Sequence, residues 1–151
     1  MALCLLPLIA QAIIPDIRFR RLDTRDGLSN SQVNAILRDS KGFMWLPTPF
    51  GLCRYDGYRF RTFYSFEHDT TTIRSNRVVG VMEAYDGRLW LDHGMNYSVY
   101  DHITETVERW PTKSLAEYGI TGGTEHLYID PETRRFYVKS FDEGYFIYDP
   151  T

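Results

Sequence analysis

The chain has 151 residues, the usual size of one domain, and a formal net charge of −3. Its Lys and Arg residues form no basic stripe, so the sequence predicts no nucleic-acid contact by this segment. Eleven Tyr, nine Phe and three Trp give a high aromatic content, which favours strands over helices.

The first twelve residues differ in composition from the rest. Leu3 to Ile9 is an apolar run, too short for a bilayer span of roughly 20 residues. It is followed by Ala10-Gln11-Ala12, the small-x-small pattern of a signal-peptidase site. We therefore expect residues 1–12 to be a signal peptide and residues 13–151 to be exported. The basic n-region is missing, which leaves a start further upstream as an alternative.

A motif built around tryptophan recurs along the chain. "GFMWLPTPFGLCRYD" (42–56) aligns without a gap with "GRLWLDHGMNYSVYD" (87–101), and "RRFYVKSFDEGYFIYD" (134–149) is a weaker copy with one inserted residue. Tyr137 takes the place of tryptophan in this third copy. The residues that define the repeat are Trp45, Gly51, Leu52, Tyr55 and Asp56, then Trp90, Tyr100 and Asp101, then Tyr148 and Asp149.

Each copy contains short runs with strand character, separated by turn residues. A further run precedes each tryptophan, at Gln32–Asp39 and Arg77–Tyr85, and another follows each Tyr-Asp pair, at 58–64 and 105–110. Four short antiparallel strands in a 45-residue period match a β-propeller blade, for which about 40–50 residues are typical. The fold class is therefore all-β. We predict a partial propeller of about three blades, with repeats near 29–66, 75–111 and 124–151.

Such a chain does not close a ring by itself, because propellers typically have about four to eight blades. Residues 16–23 precede the first blade, and we expect them to form an orphan strand that is paired only in a complete ring. The last blade should expose strand edges and an apolar face. Thr112–Ile120 has the one helix-like pattern in the chain.

The recurrence of the motif favours packing roles for its residues. Trp45 and Trp90 are expected to fill the layers between blades. Gly51 is expected at a close backbone approach or a positive φ. Asp56 and Asp101 are placed to accept hydrogen bonds from backbone N–H groups in hairpin turns.

No pattern of catalysis or metal binding is present in the sequence. The four His residues are scattered singly, and no Gly-x-Ser-x-Gly occurs. If Cys4 is removed with the signal peptide, Cys53 has no disulfide partner, and its apolar surroundings predict a buried thiol. We therefore predict no catalytic residue, no metal and no cofactor. The fold alone leaves a propeller lyase or hydrolase open.

Leu22–Phe63 resembles the first regulator-propeller repeat of the periplasmic sensors of hybrid two-component systems, which are known mainly from gut Bacteroidetes. The matching pieces are Asp26-Gly27-Leu28-Ser29, Asp39-Ser40-Lys41-Gly42-Phe43-Met44-Trp45, Gly51-Leu52 and Arg54-Tyr55-Asp56-Gly57. Pro47 stands where the family usually has Gly. A proline within a strand suggests an edge or a bulge.

The resemblance implies a non-catalytic sensor segment of an inner-membrane histidine kinase, located in the periplasm, that binds oligosaccharides for signal transduction and transcriptional regulation. Its implied partners are the oligosaccharide, the remaining blades of the parent chain and a second copy through a parent homodimer. Because sugar sites combine aromatic and polar groups, the ligand candidates are the loop residues Tyr58, Arg59, His93, Asn96 and Tyr97. A protein-interaction scaffold and a propeller enzyme fragment are the alternatives.

Overall fold

A computed structural model describes residues 18–150 of the chain. Almost all of its regular structure is β, in three antiparallel sheets that follow one another along the chain. We number these sheets as blades 1 to 3. The predicted fold class, an all-β partial propeller of about three blades, is confirmed; blades 1 and 2 have the four strands predicted for each blade, whereas blade 3 has three among residues 18–150.

Within every blade, sequence neighbours pair with each other. Blade 1 comprises β1 (Leu37–Arg38), β2 (Met44–Thr48), β3 (Gly51–Tyr55) and β4 (Phe60–Phe63). Blade 2 comprises β5 (Gly80–Glu83), β6 (Leu89–Asp92), β7 (Tyr97–Asp101) and β8 (Thr106–Glu108). Blade 3 comprises β9 (Thr124–Ile129), β10 (Phe136–Ser140) and β11 (Gly144–Tyr148), and α1 (Thr112–Glu117) lies between blades 2 and 3.

The first strand is much shorter than the sequence predicts. A strand over Gln32–Asp39 was expected, but β1 pairs with β2 only at Leu37 and Arg38. Pro47 lies beyond this short ladder and has no N–H to extend it. Its carbonyl instead accepts a bond from the Asn34 N–H (2.8 Å). Pro47 therefore occupies an edge position on this side of β2, and its pairing with β3 shows no bulge.

The segment before blade 1 contains no strand within its described part. Residues 18–21 are exposed, and a short 3-10 helix follows at Thr24–Asp26, capped by the Asp23 carboxylate. Residues 16 and 17 and the expected signal peptide lie outside the described residues. The orphan strand over 16–23, which needs a complete ring for its partner, therefore stays a prediction.

Two hydrophobic clusters join successive blades. Between blades 1 and 2, the buried ring of Trp45 lies 5.5 Å from that of Tyr100. Between blades 2 and 3, buried Trp90 lies 5.6 Å from Phe136. Each tryptophan thus projects from the second strand of its blade onto the following blade.

Helix α1 completes the packing between blades 2 and 3. The Tyr118 ring, directly after the helix, lies 4.5 Å from Phe136. The Arg88 guanidinium holds the helix to blade 2 by donating to Ser114 Oγ (2.9 Å) and Glu117 Oε2 (2.7 Å). The segment that contains α1, although it is not part of a blade, therefore belongs to the hydrophobic core.

A buried carboxylate connects all three blades. Glu83, at the end of β5, accepts a hydrogen bond from the Ser40 N–H of blade 1 (3.0 Å). The same side chain is paired with Arg134 of blade 3, at 2.9 Å between Oε2 and Nη1. Pairing of this kind is what permits a charge to be buried.

The two tryptophans differ in how their indole N–H is satisfied. Trp45 Nε1 donates to Asp39 Oδ2 (2.7 Å), whereas Trp90 Nε1 is buried with no partner among the described residues. Ala84 occupies the position in blade 2 that Asp39 has in blade 1. Asp39 Oδ1 also accepts from the backbone N–H groups of Lys41 and Phe43, so its carboxylate satisfies three donors in blade 1.

We predict that Asp39→Ala lowers the free energy of unfolding by about 2–3 kcal/mol, because it leaves a buried indole N–H and two backbone N–H groups without an acceptor. Urea denaturation measures the change. Asp142→Ala, at an exposed turn position, is the matched control and should change the stability little. Equal stability of Asp39→Ala and Asp142→Ala would contradict the assignment.

Candidate functional site

Three loops meet at one edge of the interface between blades 2 and 3. They are the turn between β6 and β7, the connection from β4 to β5, and the connection from β8 to β9. These loops form a pocket, which we call the rim pocket. Its lining includes Arg74, Asn96, Tyr97, Trp110 and Thr124. The remaining lining residues are Pro111, Thr112, Leu115, Gly122 and Gly123, and the volume is 140 Å³.

Trp110 supplies the aromatic surface of the rim pocket. Its side chain is 60% exposed, and the Arg74 guanidinium carbon lies 3.5 Å from its ring centroid. Partial burial lowers the pKa of Arg74, but an arginine remains protonated at neutral pH. The contact is a cation–π interaction that holds the indole in place while more than half of it faces solvent.

Two further residues that line the rim pocket, Thr124 and Tyr97, have buried hydroxyl groups. Thr124 Oγ1 is buried and makes no hydrogen bond within residues 18–150. Tyr97 is also buried, but its hydroxyl accepts from the Leu127 N–H (2.9 Å) and so ties β7 to β9. Burial raises the pKa of Tyr97, which keeps the hydroxyl neutral. The arrangement can stack an apolar face of a ligand on Trp110, beside the polar side chains of Arg74 and Asn96.

The structure brings two of the five predicted ligand residues, Asn96 and Tyr97, to the rim pocket. His93 lies in the same turn but is only 8% exposed. Its Nδ1 is 3.0 Å from the Arg77 carbonyl oxygen and its Nε2 is 2.9 Å from Ser98 Oγ. Both ring nitrogens therefore have partners in the protein, and the ring serves to hold the turn.

The other two predicted ligand residues lie at the opposite end of the strands, in the turn between β3 and β4. Tyr58 is 91% exposed, and Arg59 lines a separate pocket of 340 Å³ with Arg54, Arg61, Asp56 and Phe60. This second group of residues, which we call the arginine pocket, does not contact the rim pocket.

The repeat residues lie in turns and between blades. Asp56 Oδ1 accepts from the Tyr58 and Arg59 N–H groups (2.8 Å each), and Asp101 Oδ1 accepts from the Ile103 N–H (2.7 Å). These hydrogen bonds to the charged form lower the pKa of Asp56. The remaining repeat residues are buried Leu52, Tyr55 beside Phe60, Tyr148 beside Tyr118, and Asp149 paired with Arg135.

Gly51 begins β3 with a φ of +112°, a conformation that other residues rarely adopt. A Cβ atom at this position would lie 2.9 Å from the Phe63 carbonyl oxygen. Gly51 therefore meets both expectations, since its φ is positive and the backbone of Phe63 approaches it closely.

Trp110, Arg74 and Thr124 were not predicted as site residues. Trp110 is the third tryptophan of the chain and lies outside the 45-residue spacing of the other two. That departure from the repeat is the signal that distinguishes it from a packing residue. Nothing in the sequence indicates that Arg74, from a different connection, contacts it.

Cys53 is buried in blade 1, with its Sγ 3.1 Å from Ser29 Oγ. Within residues 18–150, no three His, Cys, Asp or Glu side chains are grouped closely enough to hold a metal ion. Over the same residues, no helix has the length and apolar character needed to cross a membrane.

Comparison with protein families identifies residues 27–46 as a match to the family described as "two component regulator propeller". The match covers the turn into blade 1 and its tryptophan. The regulator-propeller resemblance of this repeat is thereby confirmed. A comparison with curated protein sequences finds no match.

Among solved structures, the chain is similar to extracellular domains from B. thetaiotaomicron. Two are of BT4673, described as a one component system in one case (20% identity, TM-score 0.48) and as a hybrid two component system in the other (22%, 0.49). Each alignment covers 78% of this chain and 16% of the chain in the solved structure. A third is of the hybrid two component system BT3049 (18%, TM-score 0.35), with 85% of this chain and 24% of that one covered. The chain thus spans about a quarter or less of their length.

We predict that the chain loses stability as the pH falls below the ordinary histidine pKa of 6.5. Burial lowers the pKa of both His93 and His102 in the folded state. Their neutral forms therefore favour folding above pH 6.5, and this contribution is lost as the pH falls through the lowered values. Urea denaturation between about pH 7.5 and pH 5 measures the effect.

The double variant His93→Gln/His102→Gln should flatten this pH dependence. His68→Gln, at an exposed loop position, is the control and should leave the slope as it is. A slope that is unchanged in the double variant would contradict the prediction.

Proposed function

We propose that this chain is a non-catalytic, ligand-sensing segment of a two-component regulatory protein and that it binds oligosaccharides in the periplasm. The observation that carries the proposal is the rim pocket, where exposed Trp110 stands beside Arg74 and Asn96. The regulator-propeller match at residues 27–46 supports the regulatory context.

The chemistry of the rim pocket suits a sugar ring. A pyranose has apolar C–H faces and a circumference of hydroxyl groups, so it needs a flat aromatic surface together with hydrogen-bonding groups that fix its orientation. Trp110 supplies the surface, Arg74 supplies donors, and the Asn96 amide supplies a donor and an acceptor.

A longer saccharide can continue along the same edge of the blades. The turn between the second and third strands carries an exposed apolar side chain in every blade: Phe50 (62%), Met95 (85%) and Phe141 (67%). We propose that this row gives affinity for oligosaccharides over single sugars.

Binding at this place would be communicated through the packing of the blades. The rim pocket takes residues from both sides of the interface between blades 2 and 3, so a ligand there stabilises one relative position of the two blades. In the parent sensor, the altered geometry would pass to a histidine kinase across the inner membrane. A parent homodimer is the form in which we expect this signal to be transmitted.

One exposed face supports the proposal that further blades follow. Tyr128, Tyr137, Tyr145 and Ile147 project from β9, β10 and β11 and are 37% to 79% exposed. They line an apolar groove of 440 Å³ on the side of blade 3 that has no neighbour among the described residues. Tyr137 occupies the position of Trp45 and Trp90, whose side chains contact the next blade. We propose that a fourth blade of the parent chain covers this face.

We predict that Trp110→Ala weakens oligosaccharide binding by about thirtyfold, as expected for truncation of an aromatic residue that anchors a ligand. The ligand would be found by screening neutral oligosaccharides against the complete protein, and affinities would be measured by titration calorimetry. Tyr58→Ala removes another exposed aromatic ring, at the opposite end of the strands, and should leave the affinity unchanged.

Two results would reject the proposal. One is that the complete protein binds no oligosaccharide. The other is that Trp110→Ala and Tyr58→Ala bind equally well. Capture of a protein partner by a form that binds no glycan would favour an interaction scaffold instead.

A further inference from the structure

A second site is indicated by the arginine pocket, which the proposed function does not use. Arg54 and Arg61 lie directly opposite each other on β3 and β4, so both side chains emerge from the same face of blade 1. Arg59 joins them from the turn between these strands. Like charges placed opposite each other across two strands are unfavourable, and this calls for a compensating group.

The carboxylates around the arginine pocket do not balance the three guanidinium groups. Asp56 Oδ2 lies 3.5 Å from Arg59 Nε. Glu105 Oε1 lies 3.5 Å from Arg61 Nη1, and the side chains of Glu105 and Arg61 are each about half exposed. Exposed pairs at such distances contribute little. Arg54 has no carboxylate within ion-pair distance among residues 18–150.

The half-buried guanidinium of Arg54 is held in a fixed position. It lies over the Phe43 ring, 4.5 Å from the centroid, and is also close to the rings of Trp45 and Phe63. These cation–π contacts balance part of the charge of the guanidinium and leave its N–H groups able to bind a ligand. The positive charge of Arg54 also acts on His102. Burial lowers the pKa of His102, and the charges of Lys41 and Arg54 lower it further.

We propose that the arginine pocket binds an oxyanion, namely the sulfate or carboxylate group of a small acidic ligand. The fork of N–H donors in arginine matches two oxygens of such a group. The 340 Å³ volume accommodates the oxyanion together with part of the molecule that carries it, and Phe60 provides an apolar wall. This site lies at the opposite end of the strands from the rim pocket and is independent of oligosaccharide binding there.

The first test follows the thermal unfolding of the complete protein in millimolar sodium sulfate, with sodium chloride at the same ionic strength as reference. Sodium glucuronate in a parallel titration distinguishes a carboxylate from a sulfate. General stabilisation by sulfate acts on every variant alike, so the comparison between variants isolates binding. Arg54→Gln/Arg61→Gln should weaken the apparent affinity at least about tenfold, while the exposed Arg21→Gln, which removes the same kind of charge elsewhere, should not.

A second variant is expected to raise the affinity of the same site and to preserve the fold. Asp56→Asn keeps the Oδ1 acceptor for the two backbone N–H groups of the turn but removes the negative charge from the pocket. The affinity for the oxyanion should therefore increase. The proposal is overturned if neither sulfate nor glucuronate acts beyond chloride, or if the wild type, Arg54→Gln/Arg61→Gln and Asp56→Asn respond equally.

Discussion

The contact between a tryptophan of one blade and the aromatic residues of the next is the interaction on which the structure depends. Blade 1 and blade 2 are thin sheets that have little core of their own, and each buries its apolar face against its neighbour. Trp45 meets Tyr100 in this way, and Trp90 meets Phe136. Because repeat arrays gain stability from such interfaces, packing between blades accounts for the motif residues.

The rim pocket follows from this constraint. Where two blades meet, their connections and turns converge at the edge of the interface, and these segments are free to vary because they lie outside the packed layer. Trp110 and Arg74 belong to different connections and come together only there. The Glu83 carboxylate, shared with Ser40 and Arg134, connects the three blades at the opposite end of the strands from the rim pocket.

The sequence predicts the fold well because its signals are local and repeated. The spacing of Trp45 and Trp90 and the Tyr-Asp pairs set the strand order, and every predicted blade is present. Two kinds of feature escaped prediction. The length of β1 depends on how Pro47 limits its pairing, and the rim pocket depends on contacts between residues distant in the chain. His93 shows the same limit, since its burial against the Arg77 carbonyl has no signature in the sequence.

The central claim, that these blades belong to a longer sensor propeller, is tested most directly by reading the DNA on both sides of the coding region. The account predicts that the reading frame continues into further Trp…Gly-Leu…Tyr-Asp repeats, beginning with a blade whose apolar face covers Tyr137 and Ile147, and then into a membrane helix and a histidine kinase. A stop codon directly after Thr151, with no repeats downstream, would contradict it.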